Sequence, residues 1–492
     1  MIRKIVIVPI CMLLFGISAC SSFLDLEPQS NPTDLNFWKT EEDANSGVAS
    51  IYALLRQAFN YAEGMSFYAY GDLPSDEFST ANGGVWPFPE VINMNWSMAV
   101  PSSETWHVMM RLRRYDLFYR TIDQANRVLK YVPEMPASAF PSEAVRNRLL
   151  GEAYYLRAFT YFYMSRVWGG VPIVTATVPV DEAEDLPASP ADAVLAQCLA
   201  DIEIAKGLLS WERGSSTNRA VRANKAALFA LAAHVYAWQG NYAQCAVAAD
   251  SVIQRGGLAY VGRARSSYLT IFEGQSEEGI FEISQNAANE GTRLGVGYYT
   301  LVEPYLRGQA GNPRLMISHS RIGELYASND LRLGSAFDIT TNEVSAVCIK
   351  YSNVAYTNET ANAVAVFKNN IIVFRYSDVR LLQAEALAAT GNSGAALAIL
   401  NEVRAQAGLG HWDQSGDLFS EIIEERGREL FLEGHRYYDL IRLARYNGTL
   451  RFGPKMTSAE FNAGKYYWPF DPTLLNVNKQ LRQTPFWSRI NM

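Results

Sequence analysis

The residues that could act as acids, bases or nucleophiles in this 492-residue chain form no known catalytic motif. The five histidines are scattered: His107, His234, His319, His411 and His435. None forms the H-E-x-x-H pair that binds zinc, and no G-x-S-x-G or phosphate-binding loop occurs. Glycosidases use pairs of carboxylates that are close in space but not necessarily in sequence, so a motif search does not detect them. Asp72 and Asp76, which lie in an aromatic loop, would be the first pair to test. Without a motif, the sequence predicts no enzyme, no cofactor and no metal site.

Aromatic side chains offer a different chemistry, which is stacking on a ligand. Residues 61–103 place Trp86 and Trp96 among Gly, Pro, Asn and Ser, a composition typical of loops. Sugar rings present apolar C–H faces that pack on aromatic rings, while their hydroxyls need polar partners. Asp72, Asn93 and Asn95 would supply such partners. An equally weighted alternative is that these rings fill the space between helices.

A second aromatic segment lies far along the chain. Tyr298 and Tyr299 occur in a stretch where helical periodicity fades, and they could face the same surface as the first segment. We therefore predict that a ligand binds between the two segments. The candidate ligand-binding residues are Trp86, Trp96, Asp72, Asn93, Asn95, Tyr298 and Tyr299.

Composition and charge exclude several classes of protein. Hydrophobic residues make up 49% of the chain and charged residues 19%, which is typical of a globular protein and not of a disordered one. The net charge of −7 argues against non-specific nucleic-acid binding, and no basic patch with interleaved aromatics occurs. The three cysteines beyond residue 20 are widely spaced and contain no C-x-x-C, so we expect buried thiols and no disulfide framework.

The first 19 residues read as a secretory leader. Arg3 and Lys4 precede an apolar run, Ile5–Phe15, that is too short to cross a bilayer as a helix. Small residues then precede Cys20, a pattern typical of a bacterial lipoprotein in which this cysteine becomes the lipidated first residue of the mature protein. Acyl chains on Cys20 would hold the protein on a membrane. The alternative is an ordinary cleavage site that happens to precede a cysteine.

Helices must position these residues. Thr40 is a plausible N-cap for a helix that runs through Leu55. Further helices are predicted over Trp106–Tyr131, Glu143–Trp168 and Asp192–Leu209. By contrast, the short apolar runs Gly279–Ile283 and Ile371–Phe374, separated by Asn, Gly and Ser, predict strands.

Two helix pairs share the pattern of a tetratricopeptide repeat. Ala223–Gln254 turns at Gly240, and Ser377–Ala407 turns at Gly391, with small residues where the paired helices must approach closely. The predicted fold class is therefore mainly α, a tetratricopeptide-like helical repeat scaffold with an irregular, loop-rich subdomain containing a few short strands. We place the repeats at about 104–258 and 373–446, and irregular ligand-side segments at about 60–103 and 259–372.

The stretch from Glu424 to Tyr446 combines an apolar stripe with charges at helical spacing, and Gly434 predicts a bend between two helical pieces. The spacing predicts four ion pairs along the helices: Glu424–Arg428, Arg426–Glu429, Arg436–Asp439 and Asp439–Arg442. One interpretation is a solvated surface helix pair. The sharper interpretation is a partly buried, fully paired ionic network that fixes how the last helices dock. It assigns structural roles to Arg426, Glu429, Glu433, Gly434, Arg436 and Asp439.

This stretch resembles the C-terminal signature of the SusD/RagB family of Bacteroidota outer-membrane lipoproteins, which reads E-R-x-x-E-L-x-x-E-G-x-R-x-x-D-L-x-R. The matching residues are Glu425, Arg426, Glu429, Leu430, Glu433, Gly434, Arg436, Asp439, Leu440 and Arg442. The block from Leu156 to Pro172 is similar to the family's L-R-A-x-x-Y-F…G-x-V-P. The closing Gln483–Trp487 resembles Q-N-P-G-W, with Thr484 in place of Asn.

The resemblance implies a surface-exposed lipoprotein of the outer membrane that caps a SusC-like TonB-dependent transporter. Such a protein would bind a glycan or oligosaccharide, or in some family members a peptide, and pass it into the transporter. A rival interpretation is a lipid-anchored helical-repeat scaffold that binds only peptide or protein. The sequence does not name the ligand.

The predicted anchor can be tested directly. Replacing the acylated residue, Cys20→Ser, should move the protein from the membrane fraction to the soluble fraction, because a serine cannot carry the thioether-linked lipid. Fractionation of cells by ultracentrifugation, followed by immunoblotting, measures the distribution. The variant should be expressed without a partner transporter, and its continued sedimentation with membranes would refute the lipoprotein assignment.

Overall fold

The computed structural model of the chain describes residues 34–80, 86–179, 182–360 and 363–490. The leader and Cys20 lie outside the described residues, so lipidation stays a prediction. About 51% of the chain is helical, and no sheet in the described ranges is closed, which confirms the mainly α fold class. None of the helices described is long and apolar enough to cross a membrane.

Ten helices of 12 residues or more lie in the described part of the chain. In chain order they are α1 (Glu41–Phe59), α2 (Asp116–Tyr131), α3 (Glu143–Trp168), α4 (Ala191–Leu208), α5 (Lys225–Trp238), α6 (Tyr242–Arg255), α7 (Tyr376–Ala389), α8 (Ser393–Gln406), α9 (Leu418–Glu429) and α10 (Arg436–Asn447). Consecutive helices pack pairwise, and α6 packs on α7, so the two predicted repeats are neighbours in space.

Shorter elements connect and cover these helices. The short α-helices are Asp34–Phe37, Ser66–Gly71, Pro89–Ile92, Val108–Leu112, Arg265–Tyr268, Thr270–Glu273, Val296–Thr300, His319–Leu325, Leu331–Ala336, Ser458–Asn462 and Pro472–Val477. The 3-10 turns are Val132–Glu134, Ala137–Ala139, Gly453–Lys455 and Trp487–Arg489.

The strands are β1 (Gly279–Ile283), β2 (Ile317–Ser318), β3 (Phe337–Asp338), β4 (Ser345–Cys348), β5 (Val354–Tyr356), β6 (Ala365–Phe367) and β7 (Ile371–Arg375). They form three small antiparallel sheets with strand orders β1-β7, β2-β4-β3 and β5-β6. Pairing of β1 with β7 joins two runs that are far apart in sequence, with Ile283 opposite Ile371. Both runs were predicted as strands, and both are buried.

Most predicted helix boundaries are confirmed. The Thr40 side chain accepts from Asp43 N at 3.2 Å and caps α1, and the Asp43 carboxylate accepts from Thr40 N, completing a capping box. The single helix predicted over Trp106–Tyr131 is wrong, because the chain leaves the helix after Leu112 and resumes at Asp116. At this break the Arg113 carbonyl accepts from Asp471 N at 3.0 Å.

Small residues let the repeat helices approach, as the sequence predicted. Ala233 in α5, Cys245 in α6, and Ala384 and Ala396 in α7 and α8 are all fully buried. A larger side chain at any of these positions would separate the paired helices or force strain on the core. The cysteines Cys198, Cys245 and Cys348 are free, buried thiols, as expected.

A glycine joint links α9 to α10. Gly434 has a φ of +80°, a left-handed conformation that favours glycine. The backbone of Gly71 comes so close that a Cβ on Gly71 would lie 2.2 Å from the Gly434 carbonyl oxygen. Both glycines are therefore needed, one for its conformation and one for the close approach of two backbones.

The charges at the signature positions of this stretch are buried and paired, in agreement with the sharper interpretation, whereas Glu424 and Arg428 are half-buried and Arg445 is exposed. Arg426, Glu429, Glu433, Arg436 and Asp439 are at most 1% exposed. The Glu429 carboxylate accepts from three guanidinium groups, at 2.6, 2.8 and 3.0 Å, which belong to Arg263, Arg375 and Arg332 respectively. Glu433 accepts from Lys350 Nζ and from Arg375 Nε, both at 2.7 Å. An unpaired charge at this depth would cost several kcal/mol.

The partners of these charges differ from those predicted. Of the four predicted pairs, only Asp439–Arg442 is present, at 2.8 Å. Arg426 pairs instead with Asp439 of the next helix, at 3.0 Å, and with Asp378 of α7, at 2.8 Å. Similarly, Arg436 pairs with Asp76 at 2.8 Å. Because these side chains are buried between elements, Arg426 and Arg436 reach across to other parts of the chain, whereas Arg428 pairs with Glu425 of its own helix at 2.8 Å.

Removing one partner of this network should destabilise the protein strongly. In Asp439→Ala, Arg426 and Arg442 each lose a carboxylate that accepts at 3.0 and 2.8 Å. Breaking a buried pair costs about 3–5 kcal/mol, so the free energy of unfolding should fall by that amount, as measured by urea denaturation.

A matched control removes a carboxylate from a solvated pair. Glu203 pairs with Lys206 at 3.1 Å, and the two side chains are 73% and 48% exposed. Exposed pairs contribute about 0–1 kcal/mol, so Glu203→Ala should leave stability nearly unchanged. Equal effects of the two substitutions would show that burial does not govern the network.

Candidate functional site

The predicted aromatic stretch divides into buried and exposed rings. Trp96 is fully buried, stacks on Trp468 with ring centroids 4.1 Å apart, and donates from Nε1 to the Val91 carbonyl at 3.2 Å. The expectation that Trp96 contacts ligand is therefore corrected: this ring packs the closing segment of the chain against the loop. Trp86, by contrast, is 72% exposed.

The acidic candidates of this stretch are structural. Asp72 is fully buried and accepts from Gly434 N at 2.7 Å and from His435 N at 3.2 Å. Burial raises the pKa of Asp72 to about 8. Asp76 is held by Arg436, at 2.8 Å. Asp72 is thus not a ligand residue, and both carboxylates hold the aromatic stretch onto the α9–α10 joint.

The two predicted ligand segments do meet. Phe88, two residues after Trp86, is buried against Tyr299 with ring centroids 5.3 Å apart. Tyr299 is only 1% exposed, so it supports the surface from below. Contrary to the prediction, it does not face a ligand. Asn93 and Asn95 are exposed beside this base, with Asn93 accepting from the Thr80 hydroxyl at 3.1 Å.

Tyr298 remains accessible, and a cation lies on it. Its ring is half-buried, and the Arg314 guanidinium carbon lies 3.9 Å from the ring centroid. Arg314 also donates from Nη1 to the Tyr298 carbonyl at 3.0 Å. Stacking and hydrogen bonding together hold the tyrosine in place.

Sequence reasoning missed Trp106, which it placed inside a helix. The helix begins only at Val108, so Trp106 lies in the preceding loop and is 58% exposed. Arg111 ties this region to residues 61–63, with its guanidinium 5.4 Å from the Tyr61 ring centroid and 3.6 Å from Glu63 Oε1. The Pro-Ser-Ser sequence that precedes Trp106 was a loop signal.

We define the candidate ligand surface as five residues that are exposed or half-buried on these adjoining segments: Trp86, Asn93, Asn95, Trp106 and Tyr298. The loop at Gly64 touches the 294–299 segment, since a Cβ there would lie 2.4 Å from the Leu294 carbonyl oxygen. The candidate ligand surface thus combines exposed aromatic rings with the hydrogen-bonding side chains of Asn93 and Asn95, and the buried rings of Phe88 and Tyr299 lie beneath it. In the described ranges, no group of three or more His, Cys, Asp or Glu residues could hold a metal ion.

This architecture is that of a tetratricopeptide-like helical scaffold that carries an irregular, aromatic loop surface. Two family models match the sequence: one described as "SusD family" over residues 334–487, and one described as "Starch-binding associating with outer membrane" over residues 22–237. A SusD-like protein of Formosa agariphila is 29% identical, over 87% of this chain and 88% of its own length. The chain belongs to the SusD/RagB family.

Solved structures agree with the assignment. A SusD homolog from Bacteroides thetaiotaomicron superposes with a TM-score of 0.78 and 28% identity, covering 91% of this chain and 98% of its own. A structure named as a laminarin-binding SusD-like protein has a TM-score of 0.71 over 91% of this chain and 100% of its own. At 22% identity, the second likeness shows the fold alone.

The α9–α10 joint also contains a histidine whose protonation should weaken the fold. His435 is buried beside His234, whose Nε2 lies 2.9 Å from Asp378 Oδ2. Burial and the nearby Arg426 lower the pKa of His435 to about 4, although the carboxylates of Asp378 and Asp439 oppose this shift. An unfolded histidine titrates near 6.5, so the unfolded state takes up this proton first as the pH falls.

We therefore expect His435 to contribute stability fully above about pH 6.5 and to lose that contribution progressively down to pH 4. Between pH 7.5 and 5.0 the loss should be about 2 kcal/mol, measured by urea denaturation at each pH. In His435→Gln this part of the decrease should disappear, whereas in His411→Gln, at an exposed position, it should remain. An identical decrease in wild type and His435→Gln would contradict this assignment.

Proposed function

We propose that this protein binds a glycan or oligosaccharide on the candidate ligand surface and delivers it to a SusC-like TonB-dependent transporter. In this proposal acyl chains on Cys20 anchor the protein, surface-exposed, at the outer membrane. The observation that carries the proposal is Trp86, whose 72% exposed indole extends from a buried base formed by Phe88 and Tyr299. The binding step involves no change of covalent bonds, so we assign no catalytic residue.

The surface has the chemistry that a sugar requires. The faces of exposed rings pack against the C–H groups of a pyranose, and each such contact contributes on the order of 1 kcal/mol. Asn93 and Asn95 offer both donors and acceptors to hydroxyl groups. A bound ligand would cover the exposed rings of Trp86 and Trp106 and remove their apolar surface from water, which favours binding. The core would not have to change.

The comparisons favour a glycan over a peptide as the ligand. The family model for residues 22–237 is described as starch-binding, and one protein of this fold is named for laminarin binding. Starch and laminarin are both polymers of neutral sugars, and exposed aromatic rings suit the stacking of such sugars.

The transporter contact belongs, in our proposal, to the repeat face. Helical repeats commonly present extended interaction surfaces, and Val247 on α6 is an apolar side chain that is 62% exposed. This same observation supports the second candidate function, a lipid-anchored scaffold that binds only peptide or protein. Two measurements separate the two functions. The first identifies the proteins that co-purify with the detergent-solubilised protein, and the second measures its binding to glycans.

Loss of exposed rings should weaken glycan binding and leave the fold intact. Trp86→Ala and Tyr298→Ala should each raise the dissociation constant for the best glycan of a neutral oligosaccharide panel by about tenfold or more, because a central aromatic anchor contributes about 1.4 kcal/mol or more. Isothermal titration calorimetry measures the constants, and urea denaturation verifies the fold.

Two controls make the result specific. Val477→Ala truncates an apolar side chain that is 79% exposed in the helix Pro472–Val477, outside the candidate ligand surface, and should bind as wild type does. Trp96→Ala should lower stability because its ring is fully buried against Trp468. Unchanged affinity in both Trp86→Ala and Tyr298→Ala would place the site elsewhere, and binding to peptides alone would favour the scaffold function.

A further inference from the structure

A cleft of about 560 Å³ lies apart from the residues that define the candidate ligand surface. It is formed by the beginning of α4, the turn between α5 and α6, the end of α10 and the loop that follows. Its volume falls in the range of roughly 300–1,000 Å³ that is typical of small-molecule sites. The lining residues that matter for its chemistry are Asp192, Trp238, Tyr242, Arg445, Tyr446 and Tyr467.

Arg445 gives the cleft a cation without an acidic partner. Its guanidinium carbon lies 4.2 Å from the Trp238 ring centroid, and its two Nη atoms donate to the Trp238 carbonyl at 3.0 Å and to the Tyr467 hydroxyl at 3.4 Å. No carboxylate in the described ranges lies within 4.0 Å of it. The preceding arginine of α10, Arg442, is by contrast bound by Glu385 and Asp439.

A second guanidinium lies behind the wall of the cleft. Arg166 is 5% exposed, and its guanidinium carbon lies 4.0 Å from the centroid of the Tyr438 ring, which packs edge-on against Trp238. Its Nε has no hydrogen-bond partner, and no carboxylate in the described ranges lies within 4.0 Å. Charge in a poorly solvated interior is weakly screened, so Arg166 adds positive potential behind the Tyr438–Trp238 wall, which the Asp378 carboxylate offsets in part.

The other walls present rigid aromatic faces. Tyr446 is 42% exposed and stacks on Phe419, with ring centroids 3.9 Å apart and an angle of 17° between the planes. Tyr467 is half-buried against Tyr466, with ring centroids 4.5 Å apart. A flat ligand can therefore stack on preformed rings while an acidic group reaches Arg445.

We propose that this cleft is a second, separate binding site for a carboxylated sugar, namely a uronic acid unit. Its carboxylate pairs with the Arg445 guanidinium, and its pyranose ring packs on Tyr446 and Tyr467. Charge-assisted hydrogen bonds from arginine to carboxylate are about twice as strong as neutral ones, so a neutral sugar binds less tightly here. Asp192, also on the cleft lining, repels the carboxylate and favours its placement at Arg445.

The test uses sodium D-glucuronate as the probe and D-glucose as the neutral control, with the full chain lacking only its lipid. Isothermal titration calorimetry or ligand-observed NMR should show binding of glucuronate at least about tenfold tighter than that of glucose. Arg445→Gln should remove this preference, and Tyr446→Ala should weaken glucuronate binding about tenfold. Asp192→Asn should strengthen glucuronate binding severalfold, which a merely damaged fold cannot do.

Further controls separate this site from the proposed glycan surface and from other carboxylates. Trp86→Ala should bind glucuronate as wild type does, so each site can fail independently of the other. N-acetylglycylglycine offers a carboxylate without a sugar ring and should bind at least about tenfold more weakly than glucuronate. Equal affinity for glucuronate and glucose, equal affinity for the dipeptide, or insensitivity to both Arg445→Gln and Asp192→Asn would overturn the proposal.

Discussion

The rest of the structure depends on the burial of Glu429 among three guanidinium groups. Its partners come from three different elements: Arg375 ends β7, Arg332 lies in the short helix Leu331–Ala336, and Arg263 precedes the helix Arg265–Tyr268. Burial alone would raise the pKa of Glu429, but these cations hold that pKa far below its usual value. Because each charge is costly without its partners, the network favours the one arrangement of the repeats and the irregular subdomain in which all of these charges are paired.

The same constraint reaches the ligand surface through the glycine joint. Asp72 accepts from the backbone at Gly434 and His435, and Asp76 pairs with Arg436, so the aromatic stretch is attached to the end of the ionic network. Trp96 then stacks on Trp468 from the closing segment. A rigid base of this kind lets exposed rings bind a ligand with little loss of side-chain entropy.

Two kinds of aromatic chemistry coexist on this scaffold in our proposals. At the candidate ligand surface, exposed rings stand beside neutral amides, an arrangement suited to neutral sugars. In the cleft at the end of α10, rings surround Arg445, a guanidinium without an acidic partner in the described ranges, which suits an anion. The two proposed sites draw on different parts of the chain, although Arg442 of the buried network also lines the cleft.

The sequence by itself determined most of the long helices, the two repeats and the strand runs Gly279–Ile283 and Ile371–Phe374, because periodicity, capping and glycine turns are local properties. Its signature motif indicated the family. For the charges from Glu424 to Tyr446 it left open a solvated helix pair or a partly buried network. Only the tertiary structure decided their partners and separated Trp86 from Trp96, which have the same side chain in the same stretch. Their difference comes from Trp468, which lies more than 370 residues away in sequence and covers one ring but not the other.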